Sequence, residues 1–230
     1  MTHRCLVISI ALLFLPSFAF GAEPIILFNG HDLTGWTKHG GDATYTVEDE
    51  CIVGHAAPNT SNTFLCTDQD YGDFTLEADF AIYDRDFNSG IQLRSHVRPE
   101  NGGEKVFGYQ VEIDPRADRK WTGGLYFEGG SPERKDGWLN DLTKNEAARE
   151  AFKLGEWNHF RIVARGRHIQ SWLNGVAAAD FADDDDKAFT PSGFIGLQVH
   201  SVGKQAEPRE VRFKNLKLTP LDAEAAKADK

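Results

Sequence analysis

Glu112, Arg94 and His200 are a carboxyl, a guanidinium and an imidazole, side-chain types that can move a proton and steady a negative charge. Each falls in a short segment that alternates apolar and polar residues: "GYQVEID" (108–114), "SGIQLRS" (89–95) and "GFIGLQVH" (193–200). If these are strands, successive side chains point to opposite faces. Tyr109, Val111 and Ile113 then face a core, while Gln110, Glu112 and Asp114 share the other side. The same parity leaves Gln92 and Arg94 opposite Ile91 and Leu93, and Gln198 and His200 opposite Ile195, Leu197 and Val199. In "GGLYFE" (123–128), Tyr126 and Glu128 oppose Leu125 and Phe127. Amides and carboxylates bond hydroxyls, so four strands with this non-core face suit a sugar. A solvated face is the competing reading, with Arg94 pairing Glu112 across strands for ~0.5 kcal/mol.

Positioning these groups requires a sheet. "FTLEADFAI" (74–82), "HFRIVARG" (159–166), "HIQSWLNG" (168–175) and "VRFKNLKL" (211–218) alternate in the same way, each bounded by Gly, Pro, Asn or Asp. "ARGRH" and Asn174-Gly175 read as hairpin turns. Sixteen Phe and five Trp supply a core thick enough for two sheets, so the fold class is all-β, a sandwich. Trp36, Trp121, Trp157 and Trp172 are expected in that core; Trp138 lies in a polar excursion and is the candidate sugar platform. The spacing of Thr143 and Glu146 predicts a capping box and one short helix over "KNEAAREAF", and "DDDDK" (183–187) reads as a solvated loop.

Residues 1–21 have the layout of a secretory signal: Arg4, an apolar run from Leu6 to Leu15, then small residues near Gly21 and Ala22. A single domain is expected over 22–220 and a frayed tail over 221–230, with no membrane span once the signal is removed. The expected location is the periplasm or outside the cell. A net charge of −10 argues against nucleic-acid binding. Cys51 and Cys66 would allow one disulfide in an oxidising compartment.

"LFNGHDLTGW" (27–36), "YGDFTLEADF" (71–80), "NSGIQLRS" (88–95), "GYQVEID", "GEWNHFRIVARG" (155–166), "WLNG" (172–175), "GFIGLQVH" and "VRFKNLKL" occur in an order that resembles the 3-keto-disaccharide hydrolase domain family, also described as 3-keto-glucoside lyases and hydratases. The resemblance spans about residues 25–220 and implies a concanavalin A-like jelly roll whose polar face is concave. It also implies an exported enzyme whose partner is a 3-oxidised glycoside. A C3 ketone makes the C2 proton acidic; its removal expels the glycosidic oxygen from C1, and water can add back to the glucal. On this reading His200 or Glu112 is the base and the other the acid, and Arg94 holds the ketone oxygen. Asn88, Gln92, Gln110, Asp114, Tyr126, Trp138 and Gln198 are the expected substrate-binding residues. No cofactor is certain; a divalent metal on Glu112, Asp114 and His200 is a further implication of the resemblance.

The family commonly reads "YEVQ" where this chain reads "YQVE", which shifts the acidic position to Glu112. Two other functions stay open. One is a non-catalytic carbohydrate-binding module, since such folds often only bind. The other is a retaining β-glucanase using Glu112 and Asp114, alternate strand residues whose carboxyls would approach the ~5.5 Å that retention requires.

Overall fold

A computed structural model describes residues 22–204 and 207–221. The signal reading over 1–21 and the tail over 222–230 fall outside the described residues. In chain order the strands are β1 (Ile25–Ile26), β2 (Trp36–Gly40), β3 (Thr44–Glu48), β4 (Cys51–His55), β5 (Thr63–Thr67) and β6 (Phe74–Ile82). There follow β7 (Ser89–Glu100), β8 (Gly103–Ile113), β9 (Leu125–Glu128) and β10 (Gly137–Trp138). A single-turn α1 (Glu146–Glu150) precedes β11 (Asn158–Arg165), β12 (His168–Leu173), β13 (Val176–Ala182), β14 (Phe194–Val199) and β15 (Glu210–Pro220).

The strands form two antiparallel sheets. One runs β13-β12-β11-β6-β15-β4-β3 with β1 added to β15; the other runs β10-β9-β8-β7-β14-β5-β2. Sequence-distant neighbours such as β6 and β15 give the crossed connections of a jelly roll. Alternation decides what lies between the sheets. Phe74, Leu76, Phe80, Phe160 and Ile162 from the first sheet meet Ile91, Leu93, Tyr109, Val111, Ile113, Ile195 and Leu197 from the second, all buried. Asn174 and Gly175, at φ 50° and 83°, make the tight turn expected between β12 and β13.

The second sheet curls. β2 lies at one edge and is separated from β8 by three strands, yet His39 Nδ1 reaches Glu104 Oε2 at 2.8 Å. Its outer face is therefore concave, and Phe64, Cys66, Val106 and Phe194 pack together on it.

Three expectations are corrected and the open question of the two cysteines is answered. The helix is capped by Asn145, whose side chain accepts from Ala148 N–H at 3.1 Å, whereas Thr143 is bonded to Asp141. Asp183 is not solvated: it is 2% exposed and takes both Arg134 nitrogens at 2.6 and 2.8 Å, plus the Tyr109 hydroxyl. Cys51 and Cys66 are free thiols on different sheets. Trp157 is exposed, with Lys214 Nζ 3.9 Å from the ring centroid; Trp36 is buried and donates to Leu27 O at 2.9 Å.

Candidate active site

On the concave face a cleft of about 370 Å³ is lined by Asn62, Asn88, Glu112, Arg116, Arg119, Tyr126, Glu128, Asp136, Gly137, Trp138 and His200. Its volume suits a small ligand. A larger hollow of about 530 Å³ lies on the other sheet, where most of the charged groups are paired: Asp79 with His159, and with Asn215, and Glu77 with Lys217. The concave cleft is the candidate site: its carboxyls Glu112, Glu128 and Asp136 form no ion pair among the described residues.

Glu112 sits at the heart of it, 5% exposed on β8. Asn88 Nδ2 donates to its Oε2 at 2.9 Å and Gln110 Nε2 donates to its Oε1. Burial pushes its pKa up to about 8; the two amides oppose that rise, and the charges of Glu128 and Asp114 add to it. Glu112 therefore holds a proton at neutral pH. Glu128 projects from β9 and accepts Asn62 Nδ2 at 3.0 Å and, at 3.4 Å, Gln198 Nε2. Burial lifts its pKa to about 7.

His200 follows β14. Its Nδ1 lies 2.8 Å from the Ser201 carbonyl, an atom that can only accept, so Nδ1 carries the proton and Nε2 keeps its lone pair. Burial lowers the ring's pKa below 6.5, and the nearby Arg116 charge lowers it further. A neutral base and a protonated acid thus line one cleft.

Arg94 is elsewhere. Leu93 pairs with Tyr109 and His96 with Phe107, so Arg94 and Ser95 together oppose Gly108 in a β-bulge. Arg94 takes φ 47°, and the extra residue reverses its side. Its fully buried guanidinium reaches the loops bordering the other sheet, donating to Gly72 O at 2.7 Å, Gly166 O at 2.6 Å and Asp73 Oδ1 at 2.8 Å. The expectation that it holds a ketone oxygen is overturned by this geometry.

The cleft's cations are instead Arg116 and Arg119, which the sequence reading did not single out. Asp114 positions both. Its carboxylate takes Arg116 Nε at 2.7 Å and Nη2 at 2.9 Å, while Arg119 Nη1 lies 3.3 Å away. Asp114 is 0% exposed, so it neither touches substrate nor pairs with Glu112 as a second glucanase carboxylate. Nor is it free for a metal: both oxygens are taken by guanidinium. Among the described residues no three His, Cys, Asp or Glu side chains are grouped to hold an ion.

Gln92 and Gln110 are also fully buried. Ser95 Oγ donates to Gln92 Oε1 at 2.5 Å, Gln92 Nε2 to Gln110 Oε1 at 2.8 Å, and Gln110 to Glu112. These amides orient Glu112 rather than contact a ligand. Gly90 makes the arrangement possible, since a Cβ there would meet Gln110 Cδ at 2.6 Å. Gln198 is buried, and its Oε1 has no partner. Asn88, Tyr126 and Trp138 line the cleft as the sequence suggested; Glu128, placed on the same face by parity but given no role, joins them, as do Asn62 and Asp136, which the sequence did not name. Strand parity with Tyr126 put Glu128 on the right face without giving it a role; nothing local to Asn62 pointed to the cleft.

The model of the 3-keto-alpha-glucoside-1,2-lyase-like domain matches residues 23–219. The chain belongs to this family. Membership in the 3-keto-alpha-glucoside-1,2-lyase-like domain family marks the protein as carbohydrate-active and glycosyl-hydrolase-like. Among solved structures, a candidate glycosyl hydrolase from Parabacteroides distasonis is 23% identical over 86% of this chain and 94% of its own, with TM-score 0.58. A Bacillus subtilis protein of unknown function with a galectin-like fold reaches TM-score 0.59 at 9% identity, over 86% of this chain and 94% of its own. The carbohydrate-binding module CBM66 from Bacillus subtilis gives TM-score 0.52 at 18% identity, over 80% and 95%. At these identities the likeness establishes the sandwich fold. No curated protein matches the chain. Among the described residues no helix is long and apolar enough to cross a membrane.

Proposed function

We propose that the protein eliminates the glycosidic bond of 3-keto-glycosides. The observation that carries this reading is the pairing, in one cleft, of a neutral His200 with a proton-bearing Glu112, beside two guanidiniums fixed by Asp114. His200 Nε2 takes the C2 proton. The electron pair passes into the C3 ketone as an enolate, and Arg116 and Arg119 face the negative oxygen. As the enolate reforms the ketone, the C1–O bond breaks, and Glu112 delivers its proton to the leaving oxygen. The products are a free alcohol and a 2-hydroxy-3-keto-glucal. Imidazolium and carboxylate then remain, the pair that water needs to add at C1 with return of the C2 proton, so hydration is available to the same groups.

A direct glycosidase reading draws on Glu112 and Glu128 as two carboxyls in one cleft. Both have raised pKa values, about 8 and about 7, whereas a retaining or inverting pair needs one firmly ionised carboxylate. Elimination has no such requirement and is favoured. We also propose that residues 1–21 direct export, as Arg4 and the Leu6–Leu15 run support. The N-terminal sequence of protein recovered outside the cytoplasm tests this: a start near Ala22 is expected, and an intact Met1 contradicts it.

The test of function is aglycone release. A 3-keto glycoside should be cleaved and its unoxidised parent left intact; cleavage of the parent alone would refute elimination.

A further inference from the structure

The wall beside Glu112 is aromatic. Glu112 N–H donates to Gly124 O at 2.9 Å, and its carbonyl accepts from Gly123 N–H at 2.8 Å. The six-membered ring of Trp138 rests on Gly124, where an added Cβ would stand 2.9 Å from Trp138 Cζ3. The indole is therefore seated on the backbone that is hydrogen-bonded to Glu112. It is held by its neighbours: Trp121 edge-to-face with centroids 4.5 Å apart, Tyr126 likewise at 5.2 Å, and Arg119 Cζ 5.5 Å from its centroid.

We infer that this corner is the leaving-group subsite and that it selects glycosides whose leaving group carries a flat aromatic ring. The inference rests on Glu112 being the acid of the proposed elimination. That acid must reach the glycosidic oxygen, so whatever departs lies on its side of the cleft. Two polar groups of the corner already have partners: Tyr126 OH donates to Asp136, and Arg119 Nη1 pairs with Asp114. A second sugar could set its C–H face on the indole, but its hydroxyls would find few partners in this corner, while an aryl group needs none and gains contact with the indole and the guanidinium.

A 3-keto 4-nitrophenyl glucoside and a 3-keto glucosyl disaccharide separate the two cases in the wild type, Trp138→Ala and Trp138→Phe. The ratio of kcat/KM, aryl over disaccharide, should fall about 30-fold in Trp138→Ala and recover to within about 5-fold in Trp138→Phe. An unchanged ratio overturns the subsite. If neither ketosugar is turned over, the elimination reading fails, and calorimetric binding of phenyl glucoside decides the subsite by itself. Saturable binding that weakens about tenfold in Trp138→Ala and returns in Trp138→Phe sustains it; equal binding in the three proteins, or none in the wild type, overturns it. Near-UV circular dichroism of both variants guards against reading misfolding as lost recognition.

Discussion

Arg94 Nη2, carried by β7, meets Asp73 Oδ1 at 2.8 Å in the loop that leads into β6 of the opposite sheet. The guanidinium is fully buried and donates as well to the Gly72 and Gly166 carbonyls in loops that border that sheet, so it ties the two layers together. Removing it would take this donor from the Gly72 and Gly166 carbonyls and the cation from Asp73, which would keep only the Gly166 N–H. Arg94→Ala is expected to cost about 3 kcal/mol of stability in urea unfolding, with little change in kcat of the folded fraction. A selective loss of kcat without loss of stability would return Arg94 to the chemistry.

Asp114→Asn is the counterpart. Replacing the carboxylate leaves Arg116 and Arg119 without the charge that fixes them, and the enolate loses its two ordered cations. Activity on a 3-keto glycoside should fall on the order of 100-fold in kcat/KM, the magnitude of one preorganised electrostatic contact. Arg116→Ala should fall comparably, and the double variant should add little to either single change, as expected of groups that act as a unit.

Activity should depend on pH as a bell. The low limb marks protonation of His200 and lies below 6.5, where burial has moved the ring. The high limb marks ionisation of Glu112 near pH 8. In Glu112→Gln the high limb should vanish, and kcat should fall about 10²- to 10⁴-fold for poor leaving groups. A profile flat from pH 5 to 9 would exclude this pair, on the assignment above.

Glu112 also makes stability depend on pH. Its folded pKa, about 8, lies above the ordinary 4.5, so the stabilisation it contributes is full below about 4.5 and is lost as pH rises through about 8. Each unit of difference corresponds to about 1.4 kcal/mol. The Glu112→Gln protein should therefore lose less stability than the wild type between pH 5 and 9 in thermal or urea unfolding. Parallel curves for the two proteins would contradict a buried, proton-bearing Glu112.

How much of this was legible in the sequence follows from where alternation holds. β6 was readable to the residue, because Phe74, Leu76, Ala78, Phe80 and Ile82 fall on one parity with no interruption. The same rule placed Glu112 and His200 correctly on the concave side, as cleft residues. It failed at Arg94, since one bulged residue reverses facing, and the strand's own pattern does not betray the insertion; the side-chain-free Gly108 opposite was the available hint. Gln92 and Gln110 were on the expected face yet closed off, because the curl that brings β2 to β8 is a long-range property. Arg116 and Arg119 lie beyond the strand end, in a turn whose direction is set by their bonds to Asp114 rather than by periodicity.

The central claim is that the cleft breaks a glycosidic bond only after taking the proton from C2. The direct measurement is the rate of aglycone release from a 3-keto glycoside carrying deuterium at C2, compared with its protiated twin, in the wild type and in His200→Ala. The account predicts slower release from the deuterated substrate with the wild type, and a loss of at least about 100-fold in His200→Ala for both. Equal rates for the two isotopologues, together with an active His200→Ala protein, would contradict it.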